Sequence, residues 1–112
     1  MEIVDSASRT GCDAVKFQTF KAREVCNNTE QTYTYKSQGV EITESMLEMF
    51  LRFELPHSAW PVIKKECEDI DIQFFSTPQN LSDLKILEEV GIPAIKVGSD
   101  DFTNLPLLRS YS

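Results

Sequence analysis

Three short segments decide the fold of this chain: Ala14-Val15-Lys16-Phe17-Gln18-Thr19, Phe74-Phe75-Ser76-Thr77-Pro78 and Ala94-Ile95-Lys96-Val97-Gly98-Ser99-Asp100-Asp101. Each is an apolar, β-prone run that becomes polar at its carboxyl end, and each follows a stretch with helical periodicity. Strands that alternate with helices are typical of parallel sheets, in which the helices form the crossover connections. The pattern therefore predicts an α/β fold with three parallel strands, over residues 14–19, 72–76 and 94–98.

Five helices are expected around these strands, because apolar residues recur at helical spacing between capping residues and helix breakers. In chain order they are a helix over residues 2–9 that Gly11 ends, a helix after the cap Thr43 that Pro56 ends, a helix after the cap Ser58, a helix over residues 81–90 between Asn80 and Gly91, and a helix after the cap Asn104. Trp60, Ile63 and Cys67 share one face of the third helix and are expected in the core. The polar stretch 21–39 shows no strong period and is predicted to be a loop.

Composition and charge narrow the class of protein. The chain has 112 residues, of which 41% are hydrophobic, and a formal net charge of -7. It contains no apolar run near the roughly 20 residues that cross a bilayer, and its first residues lack the features of a signal peptide. The negative charge argues against nucleic acid, which usually binds a clustered basic face. We therefore expect a cytoplasmic protein that binds neither membrane nor nucleic acid.

Cysteine and histidine usage is sparse. Cys12, Cys26 and Cys67 are odd in number and widely spaced, which fits a reducing compartment and packing as small apolar groups. A reactive thiol is the alternative interpretation, although no catalytic partner is identifiable in the sequence. The chain has a single histidine, His57, and therefore offers no convincing site for a transition metal.

The ends of the chain fall in or near expected helices, whereas domain boundaries normally lie in exposed linkers. Three parallel strands would also leave two unpaired sheet edges. We therefore expect residues 1–112 to be a fragment of one larger domain.

Two lysines lie in the middle of predicted strands. Side chains alternate across a strand, so Lys16 shares a face with Gln18, and Lys96 shares a face with Gly98. Burying a lysine without an anionic partner is costly, and hydroxyl-bearing residues follow both lysines closely. One interpretation is a pocket for a small anion, in which Lys16 acts with Thr19, Lys96 acts with Ser99, and Thr77 adds a third hydroxyl. The other is that both lysines extend from edge strands into water, as they commonly do.

The same segments carry a resemblance to a known family. Gly11-Cys12-Asp13-Ala14-Val15-Lys16-Phe17-Gln18-Thr19-Phe20-Lys21-Ala22 resembles the second strand of the sialic acid synthase family, and Phe74-Phe75-Ser76-Thr77-Pro78 resembles its third. Ile95-Lys96-Val97-Gly98-Ser99-Asp100-Asp101 with Asn104-Leu105-Pro106-Leu107-Leu108 resembles its fourth strand and the following helix. The resemblance covers nearly the whole chain and implies a partial (β/α)8 TIM barrel, covering about strands two to four.

The resemblance also implies an activity. Members of this family condense phosphoenolpyruvate with N-acetylmannosamine or a related 2-acetamido sugar, release phosphate and form a nonulosonic acid. They require a divalent metal, manganese or magnesium. A homodimer is implied for the full-length protein. The metal-binding histidines of the family would lie beyond Ser112, so the metal ligands are expected outside this chain.

Site residues follow from the same resemblance. Lys16 and Lys96 would bind the phosphate and carboxylate of phosphoenolpyruvate, and Thr77 and Ser99 would donate hydrogen bonds to the same anion. Gln18 would neighbour the substrate. Asp101 stands where many relatives have a glutamate that contacts the sugar, and is the expected catalytic carboxylate. On residues alone, Asp100 and Asp101 are interpreted as acidic residues near a helix N-terminus.

A complete barrel needs about 250 residues, so the isolated chain is expected to be inactive. Two alternatives remain open. The chain could be a non-catalytic barrel remnant that acts by pairing its strand edges with other chains. It could also belong to another phosphoenolpyruvate-using barrel that makes a different 2-keto sugar acid.

Overall fold

The computed structural model describes residues 2–112, which divide into two units. The larger unit comprises residues 2–19 and 55–112, and the smaller unit comprises residues 20–54. The larger contains α1 (Glu2–Arg9), β1 (Ala14–Thr19), α4 (Ala59–Asp69), β4 (Gln73–Pro78), α5 (Leu81–Val90), a 3-10 turn (Ser99–Asp101) and α6 (Leu105–Ser110). The smaller contains α2 (Ala22–Val25), β2 (Thr32–Ser37), β3 (Val40–Ser45) and α3 (Met46–Phe53).

The sheet of the larger unit is parallel, as the alternation of strands and helices predicts. β1 pairs with β4 in the register Ala14↔Gln73 to Thr19↔Pro78. The expected third strand, residues 94–98, is reduced to one parallel bridge, Ser76↔Ile95, in which Lys96 N–H donates to the Ser76 carbonyl at 3.1 Å. The prediction of a regular third strand is therefore wrong. Among the described residues this segment pairs along one edge only, and the chain turns away from it at Ser99.

Several helix ends are capped by the residues that the sequence predicts. The side-chain oxygen of Asn80 accepts from Asp83 N–H at 3.0 Å, and Gly91 ends α5 with a left-handed φ of 75°. Asn104 caps α6 in the same way, through Leu107 N–H. The expected cap Ser58 makes no side-chain cap bond, because its backbone is already helical.

The start of α3 also differs from the prediction. Thr43 lies in β3, and Ser45 caps the helix by accepting from Glu48 N–H at 3.4 Å. The helix ends at Phe53, three residues before Pro56. A threonine in an alternating strand and a threonine before a helix look alike in sequence, so the strand that precedes α3 decides which residue becomes the cap.

The stretch predicted as a loop, residues 21–39, contains α2 and the first strand of a β-hairpin. β2 and β3 pair antiparallel around Gln38 and Gly39, whose φ values of 51° and 82° are those of a tight hairpin turn. Glycine is favoured at position 39 by this backbone conformation alone, because a Cβ atom there would meet no other atom. The alternation in Thr32-Tyr33-Thr34-Tyr35 was the signal for this strand, and the prediction of a loop is wrong here.

A three-residue network joins the hairpin to α3. Arg52 donates two hydrogen bonds to the Glu44 carboxylate, at 2.8 and 2.7 Å, and the Tyr35 hydroxyl donates to the same group at 2.7 Å. These donors lower the pKa of Glu44 to about 2, and the Glu44 carboxylate in turn raises the pKa of Arg52 above its usual value. Paired donation to one carboxylate holds the hairpin against the helix that follows it.

We expect the Glu44 carboxylate to titrate near pH 2 in the folded protein. Because this pKa lies below the usual 4.5, the network stabilises the folded unit above about pH 4.5 and loses this effect as the pH falls toward 2. NMR titration of the Glu44 side-chain carboxyl carbon measures the midpoint directly. The variant Arg52→Gln removes the charge and should move the midpoint up toward 4.5. A wild-type midpoint near 4.5 would contradict the network.

The core of the larger unit lies between one face of the sheet and the helices. Val15 and Phe74 are buried on that face, against Val4, Trp60, Ile63, Cys67 and Leu87. The Trp60 ring stacks on Phe74 at 6.2 Å between ring centroids, and Phe17 meets both rings edge-on. The expected core positions Trp60, Ile63 and Cys67 are confirmed.

All three cysteines in the described chain are free thiols. Cys26 and Cys67 are buried, as expected for small apolar groups, and burial raises the pKa of the Cys67 thiol. Cys12 is exposed, so the packing prediction is wrong for that residue. Among residues 2–112, no helix has both the length and the apolar character to cross a membrane.

Candidate anion-binding site

The two faces of the parallel sheet differ in character. Val15 and Phe17 of β1 point toward the helices, so Lys16 and Gln18 point to the opposite face, where both are exposed. In the register of the sheet, Lys16 lies beside Phe75 and Gln18 lies beside Thr77. This second face therefore carries Lys16, Gln18 and Thr77, together with Phe75.

The segment after Pro93 extends this face by one strand. The bridge Ser76↔Ile95 places Ile95 on the helix side together with Ser76, so Lys96 follows on the opposite side, next to Thr77. Gln18, Thr77 and Lys96 thus form one row across the sheet. We call the surface formed by Lys16, Gln18, Phe75, Thr77 and Lys96 the site face.

The spacing on the site face suits a small ligand. Neighbouring strands lie about 4.8 Å apart, and the rise along a strand is about 3.3 Å per residue. Lys16 and Lys96 are two strands and two residues apart, which corresponds to about 12 Å between Cα atoms. Two lysine side chains that extend toward each other across this distance can bind one anion between them.

The polar groups of the site face lack partners within the described chain. Lys16 and Lys96 form no ion pair with any residue of 2–112. The Thr77 side chain is only 2% exposed, and its hydroxyl makes no hydrogen bond to any described residue. An unsatisfied buried hydroxyl costs about 1–3 kcal/mol, so a ligand that accepts its hydrogen bond removes a penalty. The arrangement presents two cations and one donor, and therefore favours an anion.

Ser99 and Asp101 belong to the 3-10 turn at the carboxyl end of the third strand segment. Ser99 is exposed, whereas Asp101 is half-buried, and its Oδ2 atom is buried without a hydrogen-bond partner among residues 2–112. Tyr111 lies close by: burial, followed by the Asp101 carboxylate, raises its pKa, and its hydroxyl donates to the Pro78 carbonyl at 3.2 Å. This hydrogen bond links the end of α6 to the carboxyl end of β4.

Thr19 does not belong to the site face. It is 1% exposed, and its hydroxyl lies 2.8 Å from the Ser76 hydroxyl on the helix side of the sheet. Its pairing with Lys16 was a wrong prediction, because residues three apart in a strand point to opposite faces. Phe75 is the residue of the site face that the sequence did not single out. Its position follows from the register, which no single strand reveals.

The described residues contain no group of three or more histidine, cysteine, aspartate or glutamate side chains arranged to hold a metal ion. Residues 2–112 therefore do not fit a divalent metal centre on their own. The two carboxylates of the 3-10 turn, Asp100 and Asp101, have no histidine beside them in sequence.

Comparison with known proteins identifies relatives of this chain. The chain is 32% identical to the N,N'-diacetyllegionaminic acid synthase of Campylobacter jejuni over 111 residues, which are 99% of this chain and 33% of that protein. The Legionella pneumophila enzyme of the same name is 31% identical over 96% of this chain and 30% of its own length. The chain thus spans about a third of the length of these curated relatives.

A solved structure has the same fold. The N-acetylneuraminic acid synthetase of Leptospira borgpetersenii, determined with citrate, superposes with a TM-score of 0.81 over 97% of this chain and 33% of its own. At a sequence identity of 22%, this match shows a similar fold and nothing further. The model of the NeuB family matches residues 3–112, nearly the whole sequence. With this match, the chain belongs to the NeuB family.

Proposed function

We propose that this chain is the phosphoenolpyruvate-binding sector of a nonulosonic acid synthase, an enzyme that condenses phosphoenolpyruvate with N-acetylmannosamine or a related 2-acetamido sugar. One observation carries the proposal: two lysines without ion-pair partners and a buried, unbonded hydroxyl lie on a single sheet face. Relatives of this chain are named as synthases of legionaminic acid, which fits the same reaction class.

The architecture that we propose is a sector of a (β/α)8 barrel. β1 lies next to β4, and β4 next to the segment of Ile95, in the order in which they occur along the chain. Helices connect them and cover one face of the sheet. In a closed barrel the other face points inward, and the carboxyl ends of the strands form the active site. The site face and the Ser99–Asp101 turn would then lie in the mouth of the barrel.

In this proposal the residues bind and orient the substrates. Lys16 and Lys96 bind the phosphate and carboxylate of phosphoenolpyruvate, since a trianion supplies the partner that each ammonium group lacks. Thr77 and Ser99 donate hydrogen bonds to the same anion, and Gln18 lies beside it in the row. This orientation directs the alkene carbon of phosphoenolpyruvate at the sugar aldehyde.

Asp101 is proposed to contact the sugar. Its Oδ2 atom has no hydrogen bond among residues 2–112, so it can accept one from a sugar hydroxyl. The family's divalent metal, manganese or magnesium, remains a proposal for a larger assembly. The described residues do not form a centre for this metal, so its ligands would lie outside this chain.

The setting that we propose is a cytoplasmic enzyme that works on small molecules, as a homodimer at full length. The three free thiols fit a reducing compartment. The net charge of -7 gives no general attraction for nucleic acid.

The proposal predicts where activity will be found. With phosphoenolpyruvate, N-acetylmannosamine and manganese, we expect the longest reading frame that contains these residues to release inorganic phosphate, and only when the sugar is present. The 112-residue chain alone should release none, because it spans about a third of the length of its relatives. A colorimetric phosphate assay distinguishes the two proteins.

Two outcomes would contradict this scheme. Sugar-dependent phosphate release by the purified 112-residue chain would show that the sector is sufficient. Failure of the longest reading frame with every 2-acetamido sugar tested would overturn the synthase function, and would favour a non-catalytic remnant that acts by assembly with other chains.

A further inference from the structure

Gly98 marks the end of the site face. It follows Lys96 by two residues in an extended segment, and a Cβ atom built on it would lie 3.5 Å from the Thr77 methyl group. Both observations indicate that a side chain at position 98 would point toward the site face, next to the buried Thr77.

The space that a side chain at Gly98 would occupy is filled by Asp100. A Cβ atom at position 98 would collide with the Asp100 Oδ1 atom. The backbone does not require glycine here, because its φ of -70° and ψ of 144° are open to any residue. The 3-10 turn therefore folds the Asp100 carboxylate back over the end of the strand, onto the site face.

The two neighbouring aspartates thus have different surroundings. Asp101 is half-buried, and its carboxylate adds to burial in raising the pKa of the Tyr111 hydroxyl. Asp100 is exposed, and its Oδ1 lies over Gly98. Of the two aspartates, Asp100 is the one whose carboxylate lies over Gly98, at the end of the site face.

A carboxylate at this position discriminates between two kinds of ligand. It can only accept hydrogen bonds, and it repels phosphate and carboxylate groups nearby. An uncharged amino sugar instead offers hydroxyl and amide N–H donors, which a carboxylate binds strongly. Resting on the function proposed above, we propose that Asp100 is a specificity-determining residue that binds the uncharged 2-acetamido sugar and not phosphoenolpyruvate.

Steady-state kinetics of the longest reading frame that contains this chain tests the role of Asp100. Asp100→Asn keeps the size of the side chain and removes its charge. We expect the KM for N-acetylmannosamine to rise about tenfold or more, as for loss of a charge-assisted hydrogen bond. The KM for phosphoenolpyruvate should stay the same or fall, because removing the charge also removes its repulsion of the anion. Gly98→Ala keeps the charge but displaces the carboxylate, and should also raise the KM for N-acetylmannosamine.

The matched control is Asp71→Asn. Asp71 is exposed at the amino end of β4, opposite the site, and its φ of 56° is one that asparagine also adopts. This variant should leave both KM values unchanged. Circular dichroism of all three variants verifies that each is folded.

Each outcome separates the inference from the function on which it rests. A wild-type enzyme that is active while Asp100→Asn leaves the sugar KM unchanged overturns the role of Asp100 alone. A higher KM for phosphoenolpyruvate in Asp100→Asn also overturns it, since the carboxylate would then support binding of the anion. A wild-type protein without synthase activity overturns the proposed function and, with it, this inference.

Discussion

Replacing Lys96 with methionine is expected to weaken phosphoenolpyruvate binding by about 2–3 kcal/mol, the value of a hydrogen bond to a charged group. This corresponds to a rise in Kd of about 30-fold to 150-fold. Methionine keeps most of the unbranched stem of lysine, so the loss of affinity measures the contribution of the ammonium group. Isothermal titration of the longest reading frame that contains the chain, with phosphoenolpyruvate as ligand, measures the change.

The structure separates a binding effect from a folding effect at this position. Lys96 forms no ion pair with residues 2–112, so removing its charge leaves no carboxylate unpaired. The thermal midpoint without ligand should therefore stay near that of the wild type. Lys85→Met, at an exposed position of α5, is the matched control and should bind with unchanged affinity. Unchanged affinity in Lys96→Met would remove Lys96 from the site.

Replacing Trp60 with alanine is expected to lower the free energy of unfolding by about 3–5 kcal/mol. Trp60 is 1% exposed and packs on Phe74 and Phe17, which belong to the two paired strands. Alanine leaves a large cavity between α4 and the sheet that these rigid neighbours cannot fill. Urea unfolding followed by far-UV circular dichroism measures the loss without relying on tryptophan fluorescence.

Val62 supplies the control for Trp60 on the same helix. Its side chain is 61% exposed, so Val62→Ala should change the free energy of unfolding by no more than about 0.5 kcal/mol. If Trp60→Ala does not fold, Trp60→Phe gives the measurement, with a smaller loss because an aromatic ring remains. A loss below about 1 kcal/mol in Trp60→Ala would show that this ring does not hold α4 on the sheet.

Local patterns in the sequence predicted those elements that depend on neighbouring residues. The caps Asn80 and Asn104 form as predicted because a side-chain oxygen needs only a backbone N–H a few residues away. Gly91 ends α5 because glycine tolerates the left-handed conformation. The alternation in β1 likewise assigned Lys16 and Gln18 to one face before any partner strand was known.

The errors concern strand pairing and the face to which a strand residue points. Residues 32–37 are polar enough to look like a loop, and they form a strand because residues 40–45 supply its hydrogen-bond partners. The segment 94–98 has the composition of a strand, yet within the described chain it has a neighbour on one edge only. Thr19 was assigned to the wrong face because proximity in sequence was given more weight than the alternation of side chains.

The sequence by itself determined the alternation of helices with the parallel strands of the larger unit, the family and the identity of the polar residues at the strand ends, because these depend on composition and short-range spacing. Only the tertiary structure decided which of those residues share a face. The parallel register sets Gln18 beside Thr77, the bridge at Ile95 sets Lys96 next to them, and the turn after Gly98 folds Asp100 over the same face. Register comes from pairing between residues of different strands, as between Gln18 and Thr77, and a single strand carries no record of its partner.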